Sequence, residues 1–192
     1  MKILESELIL NPDGSIYHLN LKPEDLASTV ITVGDQDRVE HVSCYFDQIE
    51  VKKQHRDFKT HTGLYKGKRI TVISTGIGPD NIDIVFNELD ALANIDFDSR
   101  KIKEKLRVLE IVRVGTSGAM QADIPVDSII ASELGIGFDN LLHFYKLPDH
   151  LFDEEFSEAF QKHTSWNVNN SKPYVVVANQ ELLAKFTSEG IK

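Results

Sequence analysis

The chain has a single cysteine, Cys44, among its 192 residues, so no internal disulfide can staple it. A lone thiol suits a reducing cytoplasm. Its neighbours Val42, Tyr45 and Phe46 point to packing rather than to a reactive nucleophile. No apolar run approaches the roughly 20 residues that span a bilayer. The start, MKILESELILNPDG, places Glu5 and Glu7 where a secretory leader needs an apolar core, and no small-residue cleavage site follows. Basic residues are outnumbered, 21 Lys and Arg against 30 Asp and Glu, which gives a net charge of −9. Such a chain lacks the broad basic face of a non-specific nucleic-acid binder. A small anion needs only a few local cations and is not excluded. Internal repeats and low-complexity tracts are also missing.

What is present is the composition of a globular protein, 41% hydrophobic and 27% charged. Its length allows one domain, 1–192, with a sizeable core. STVITVGD (28–35) reads as a strand entering a glycine turn, and QDRVEHVSCYF (36–46) has helical apolar spacing. QIEVKK is a short strand. FKTHTGLYKGKRITVIST (58–75) reads as a hairpin broken at Gly67 and followed by a central strand. GPDNIDIVFNELDALANI (78–95) predicts a helix with Pro79 and Asp80 in its first turn. Residues 96–105 read as a polar surface connection, and LRVLEIVRVG as the next strand. IPVDSIIASELG predicts a further strand and HLFDEEFSEAFQKH (150–163) a second amphipathic helix. KPYVVVAN (172–179) predicts a buried strand, and QELLAKFTSEGIK begins a short helix. Alternating strands and helices imply an α/β fold of three αβα layers around a mainly parallel, mixed sheet.

Ligands of such sheets bind beyond the carboxyl ends of the strands. Three strands end there in glycine turns: ITVGDQDR, VISTGIGPDN and VRVGTSGA. Gly34 and Arg38 span the first turn and could converge on one anion, although Gly-x-x-x-Arg alone is equally a turn beside a solvated arginine. Arg113 carries more information. It interrupts the apolar run Ile111, Val112, Val114, which predicts a buried guanidinium in need of an anion. Glu110, three residues away on the same strand, points to the opposite face. Thr116 and the Gly115–Gly118 turn add hydroxyl and backbone donors.

These turns resemble the nucleoside phosphorylase-I family, and within it the uridine phosphorylase branch. The likeness runs through YHLNL (17–21), VGDQDRV (33–39), QHRDFKTHTGLYKGKRITVISTGIG (54–78) and IVRVGTSGAMQADIPV (111–126), roughly the first two-thirds of the chain. The resemblance implies a phosphate site built from Gly34, Arg38, Arg113 and Thr116, with Arg56 arriving from a neighbouring subunit. It implies that His18 crosses the same interface to the sugar 5′-hydroxyl, so that the chain assembles as a dimer or a trimer of dimers. His55 and His61 have no matched role and read as structural. Asp57 matches a carboxylate that holds a monovalent cation in some relatives. No zinc-ligand spacing is present, and no organic cofactor is implied, phosphate being the co-substrate.

Two turns depart from the family pattern. GDQ has Gln36 where the family has Pro, and STGIGPDN replaces the commoner Gly-Gly-Pro-Ser form. The family's base-recognition and Met-Glu/x-Glu ribose segments have no counterpart before Lys192. The expectation is a fragment or shortened chain whose base-binding residues lie beyond Lys192. The implied activity is that of a cytoplasmic pentosyltransferase: reversible phosphorolysis of a nucleoside, uridine by its branch, to free base and ribose 1-phosphate. A nucleosidase of the same fold would use water, and water needs no paired arginines. A third reading is a catalytically incomplete phosphate-binding protein.

Overall fold

The computed structural model describes residues 2–190, which fall into two compact units divided between Ser117 and Gly118. The first unit is built on a five-stranded sheet. Its β1 (Thr29–Val33) consists entirely of β-branched residues, whose stiff side chains suit a pleated strand. Helix α1 (Asp37–Ser43) follows, then β2 (Gln48–His55), β3 (Phe58–Tyr65), β4 (Lys68–Ser74) and helix α2 (Pro79–Asn94). Two-residue strands β5 (Ile95–Asp96) and β6 (Lys101–Ile102) precede β7 (Glu110–Arg113). The strand order is β2-β3-β4-β1-β7. Strand β1 runs parallel to both β4 and β7, whereas β2, β3 and β4 form antiparallel hairpins. Lys66 and Gly67, with φ of 48° and 77°, make the tight β3–β4 turn that suits this twist.

The alternation of β1 and β4 feeds two cores. Val30 and Ile73 face α2, packing with Val85, Leu89 and Leu92 and with Leu8, Ile16 and Leu19 of the N-terminal segment. Val33 and Val72 face α1 and pack against Val39, Val42 and Phe46. Each fully buried leucine or isoleucine here contributes roughly 1.5–3 kcal/mol relative to exposure. Helix α2 starts as its sequence predicts, with Pro79 just inside and Gly78 before it at φ 97°.

The second unit contains β8 (Leu134–Gly137), α3 (Glu154–His163), β9 (Tyr174–Val177) and α4 (Gln180–Gly190). Strands β8 and β9 pair antiparallel with each other. Asp153 caps α3 by accepting from the Phe156 N–H at 2.9 Å. Phe138, Phe160 and Trp166 cluster with ring centroids 5.4–5.8 Å apart.

Several expectations change. The connection 96–105 holds the small β5–β6 hairpin. The strand expected in IPVDSIIASELG survives only at its end, where Leu134 begins β8. Pro125 lacks a ladder donor, and Asp127 turns the chain at φ 69°, which stops extension upstream. In β9 only Val175 is buried, because a two-stranded sheet has too little cover for both faces. Cys44 is exposed at the end of α1, its Sγ against the His41 carbonyl, so the packing expected of it is absent.

Candidate active site

The parallel strands β1, β4 and β7 bring their carboxyl ends to one edge of the sheet. In the β1–β7 register Thr32 lies opposite Arg113, and the Val114 N–H donates to the Thr32 carbonyl at 2.9 Å. Gly34, two residues beyond Thr32, therefore shares a face with the Arg113 side chain. A Cβ on Gly34 would sit 3.3 Å from Arg113 Nη2. The glycine is thus the space in which the guanidinium lies. Arg38 Nη2 donates to Thr116 Oγ1 at 3.3 Å. The four residues expected to form one cradle are gathered at this edge in two touching pairs.

Burial differs from expectation. Arg113 is exposed and Val114 is 47% exposed, because β7 is the last strand of the sheet and has a neighbour on one side only. Glu110 does point away, accepting from Thr29 Oγ1 at 3.1 Å and pairing with Lys68 Nζ at 3.5 Å. Among the described residues no carboxylate pairs with Arg38 or Arg113, while Lys53, Lys59, Arg69 and others have acidic partners. Two guanidinium groups with free donors beside a glycine turn suit a tetrahedral oxyanion, which arginine binds through paired N–H groups.

A family model described as the phosphorylase superfamily matches residues 28–187. The chain belongs to this superfamily. It is 33% identical over 135 residues to a uridine phosphorylase of Thermococcus kodakarensis, covering 70% of this chain and 44% of the relative. It is 32% identical over 137 residues to the Escherichia coli uridine phosphorylase, covering 70% and 49%. The chain thus spans about half the length of these curated relatives. Among solved structures, a Trypanosoma brucei nucleoside phosphorylase described as showing uridine phosphorylase activity superposes with a TM-score of 0.83. That match has 28% identity and covers 94% of this chain and 61% of the other.

Two further candidates of this phosphorylase-superfamily chain, Arg56 and His18, form a second cluster. Arg56 occupies the β2–β3 turn at φ 53°, exposed, with its Nη2 3.3 Å from Tyr17 Oη and its guanidinium carbon 5.4 Å from the centre of the Tyr17 ring. His18 stands beside it, with its ring edge-on to Tyr17. The His55 Nδ1–H donates to the His18 carbonyl at 3.0 Å. Among the described residues no hydrogen bond or ion pair joins Arg56 or His18 to Gly34, Arg38, Arg113 or Thr116.

Asp57 is a single exposed carboxylate beside Gly76, and its carbonyl already accepts from Ser74 Oγ. Among the described residues no group of three or more His, Cys, Asp or Glu gathers around a metal position. Asp57 contributes one carboxylate here, and any further oxygens for a monovalent cation would be carbonyls or hydroxyls.

Sequence reasoning passed over Gln54 and Glu88 and marked Gln36 only as a replacement for proline. Gln36 Nε2 donates to the Arg56 carbonyl at 2.9 Å, and Gln36 Oε1 accepts from Gln54 Nε2 at 2.7 Å. The residue that replaces the family's proline thus ties the anion turn to the Arg56 turn, a link proline has no side-chain amide to make. Its only sequence signal is the replacement itself.

Proposed function

We propose that this chain carries the phosphate-binding part of a nucleoside phosphorylase, with uridine as the nucleoside. The observation that carries the reading is the approach of Arg113 to Gly34 beside the Arg38–Thr116 pair, with no carboxylate among the described residues paired to either arginine. The names of the relatives and the family match, which spans both compact units, support the same reading. Phosphate is the co-substrate and the nucleophile. Arg38 and Arg113 hold its charge, and Thr116 and the Gly34 N–H orient it below C1′ of the sugar. Arg56 adds a third guanidinium from the neighbouring subunit, and His18 of that subunit meets the 5′-hydroxyl.

As the glycosidic bond lengthens, positive charge builds on the ribose. One phosphate oxygen forms the C–O bond to C1′, and the base leaves with the bonding electron pair. The protein contributes position and electrostatics and needs no covalent intermediate. The test is release of uracil from uridine with phosphate present and absent. Phosphate-dependent release with ribose 1-phosphate formed is expected. Equal release without phosphate, with free ribose, would instead identify a nucleosidase.

A second reading, carried by the gathered arginines alone, is a chain that binds phosphate without turnover. Calorimetric titration separates the two: binding of phosphate but not of uridine belongs to this second reading.

A further inference from the structure

Glu88 lies on α2, outside every motif read from the sequence, yet its carboxylate meets both the backbone and the ring of His18. Its Oε1 accepts from the His18 N–H at 3.0 Å and meets His18 Nδ1 at 2.7 Å. Its Oε2 accepts from the Leu19 N–H at 2.8 Å and lies 3.2 Å from the His18 N–H. The carboxylate side chain is only 12% exposed. The His18 carbonyl is occupied from the other side by His55. Backbone donor, backbone acceptor and one ring nitrogen of His18 are therefore all engaged, and among the described residues only Nε2 is left without a partner.

The chemistry of these contacts fixes a direction. An ionised carboxylate only accepts, so a 2.7 Å contact requires the proton on Nδ1. In the Nδ1–H tautomer of the neutral ring, Nε2 presents a lone pair. We propose that Glu88 is a positioning residue that locks His18 in the Nδ1–H tautomer, so that Nε2 accepts a hydrogen bond from the sugar 5′-hydroxyl. This rests on the reading of His18 as the 5′-hydroxyl ligand and names how that contact is oriented. Glutamate is required because both of its oxygens face donors. A glutamine would turn an N–H towards either the His18 or the Leu19 N–H.

Two measurements decide it. In chain labelled with ¹⁵N-histidine, with His18 assigned through His18→Asn, long-range ¹H–¹⁵N correlation should show protonated Nδ1 and unprotonated Nε2. Glu88→Gln should lose that preference while His55 keeps its own. An Nε2–H tautomer, or one unchanged in Glu88→Gln, would overturn the proposal. Next, kcat/KM for uridine over that for 5′-deoxyuridine should fall about tenfold in Glu88→Gln, the size of one hydrogen bond. The fall should be no larger in the Glu88→Gln/His18→Asn double variant. A ratio unchanged in Glu88→Gln but lowered in His18→Asn defeats the role of Glu88 alone. Should Glu88→Gln lose its fold by circular dichroism, His18→Asn, which keeps the backbone contacts to Glu88, carries the substrate comparison. A ratio unchanged in His18→Asn defeats the 5′-hydroxyl reading of His18, and with it this proposal. Absence of phosphorolysis, with the Nδ1–H tautomer intact, would count against the proposed function and leave the hold of Glu88 on His18 in place.

Discussion

At the scale of single residues, Gly34 shows how an absent side chain can build a site. Its backbone needs no special conformation; what it provides is room for Arg113. Gly34→Ala would place a methyl 3.3 Å from Nη2 and push the guanidinium off its position. Phosphate affinity should fall about tenfold, the equivalent of one charge-assisted contact. The thermal midpoint should hardly move, because the residue lies at the sheet edge. Calorimetric titration with phosphate checks the first expectation and a melting curve the second. Unchanged affinity would remove Arg113 from the anion site. Here the sequence was partly legible: it marked both residues, but not that one makes room for the other.

At the scale of elements, α1 is pinned to β3 by a buried pair, Ser43 Oγ and His61 Nδ1, 2.7 Å apart. Burial holds the His61 pKa below its usual 6.5. Lys52 and Lys59 push the same way, and Glu40 opposes them. The unfolded chain therefore binds a proton at this position before the folded one does. Stability from His61 is complete above about pH 6.5 and is lost as pH falls towards the lower folded value. Urea midpoints measured from pH 7.5 to 5 should show this acid loss, with a shallower slope in His61→Gln. An identical slope in the variant would show that His61 does not titrate differently on folding. The structural reading of His61 came from sequence by default, since no motif claimed it. Its partner was hidden because 18 residues separate the two and the β2–β3 hairpin must form before they meet.

At the scale of the whole molecule, the two clusters bear on assembly. Arg38, Arg113, Thr116 and Gly34 form one group, while Arg56, His18, Tyr17 and Glu88 form another. If the second group serves a neighbour, mixing should reveal it. Arg56→Ala and Arg113→Ala should each be nearly inactive alone. Unfolded, mixed in equal amounts and refolded together, they should recover about a quarter of the wild-type rate, since half of two-fold dimers are mixed and each has one intact site. No recovery would place Arg56 in its own chain's site. The sequence by itself determined the α/β class with a mixed, mainly parallel sheet, helix α2 with its Pro79 start, and the glycine-and-arginine turns at the strand ends. Those are local patterns of periodicity, β-branching and turn chemistry, and they survive without knowledge of neighbours. The tertiary structure decided that Arg113 is exposed, that Gln36 reaches Arg56, and that Glu88 holds His18 from 70 residues away. Each depends on which strand lies at an edge or which segment crosses a helix, and long-range packing fixes that where local pattern does not.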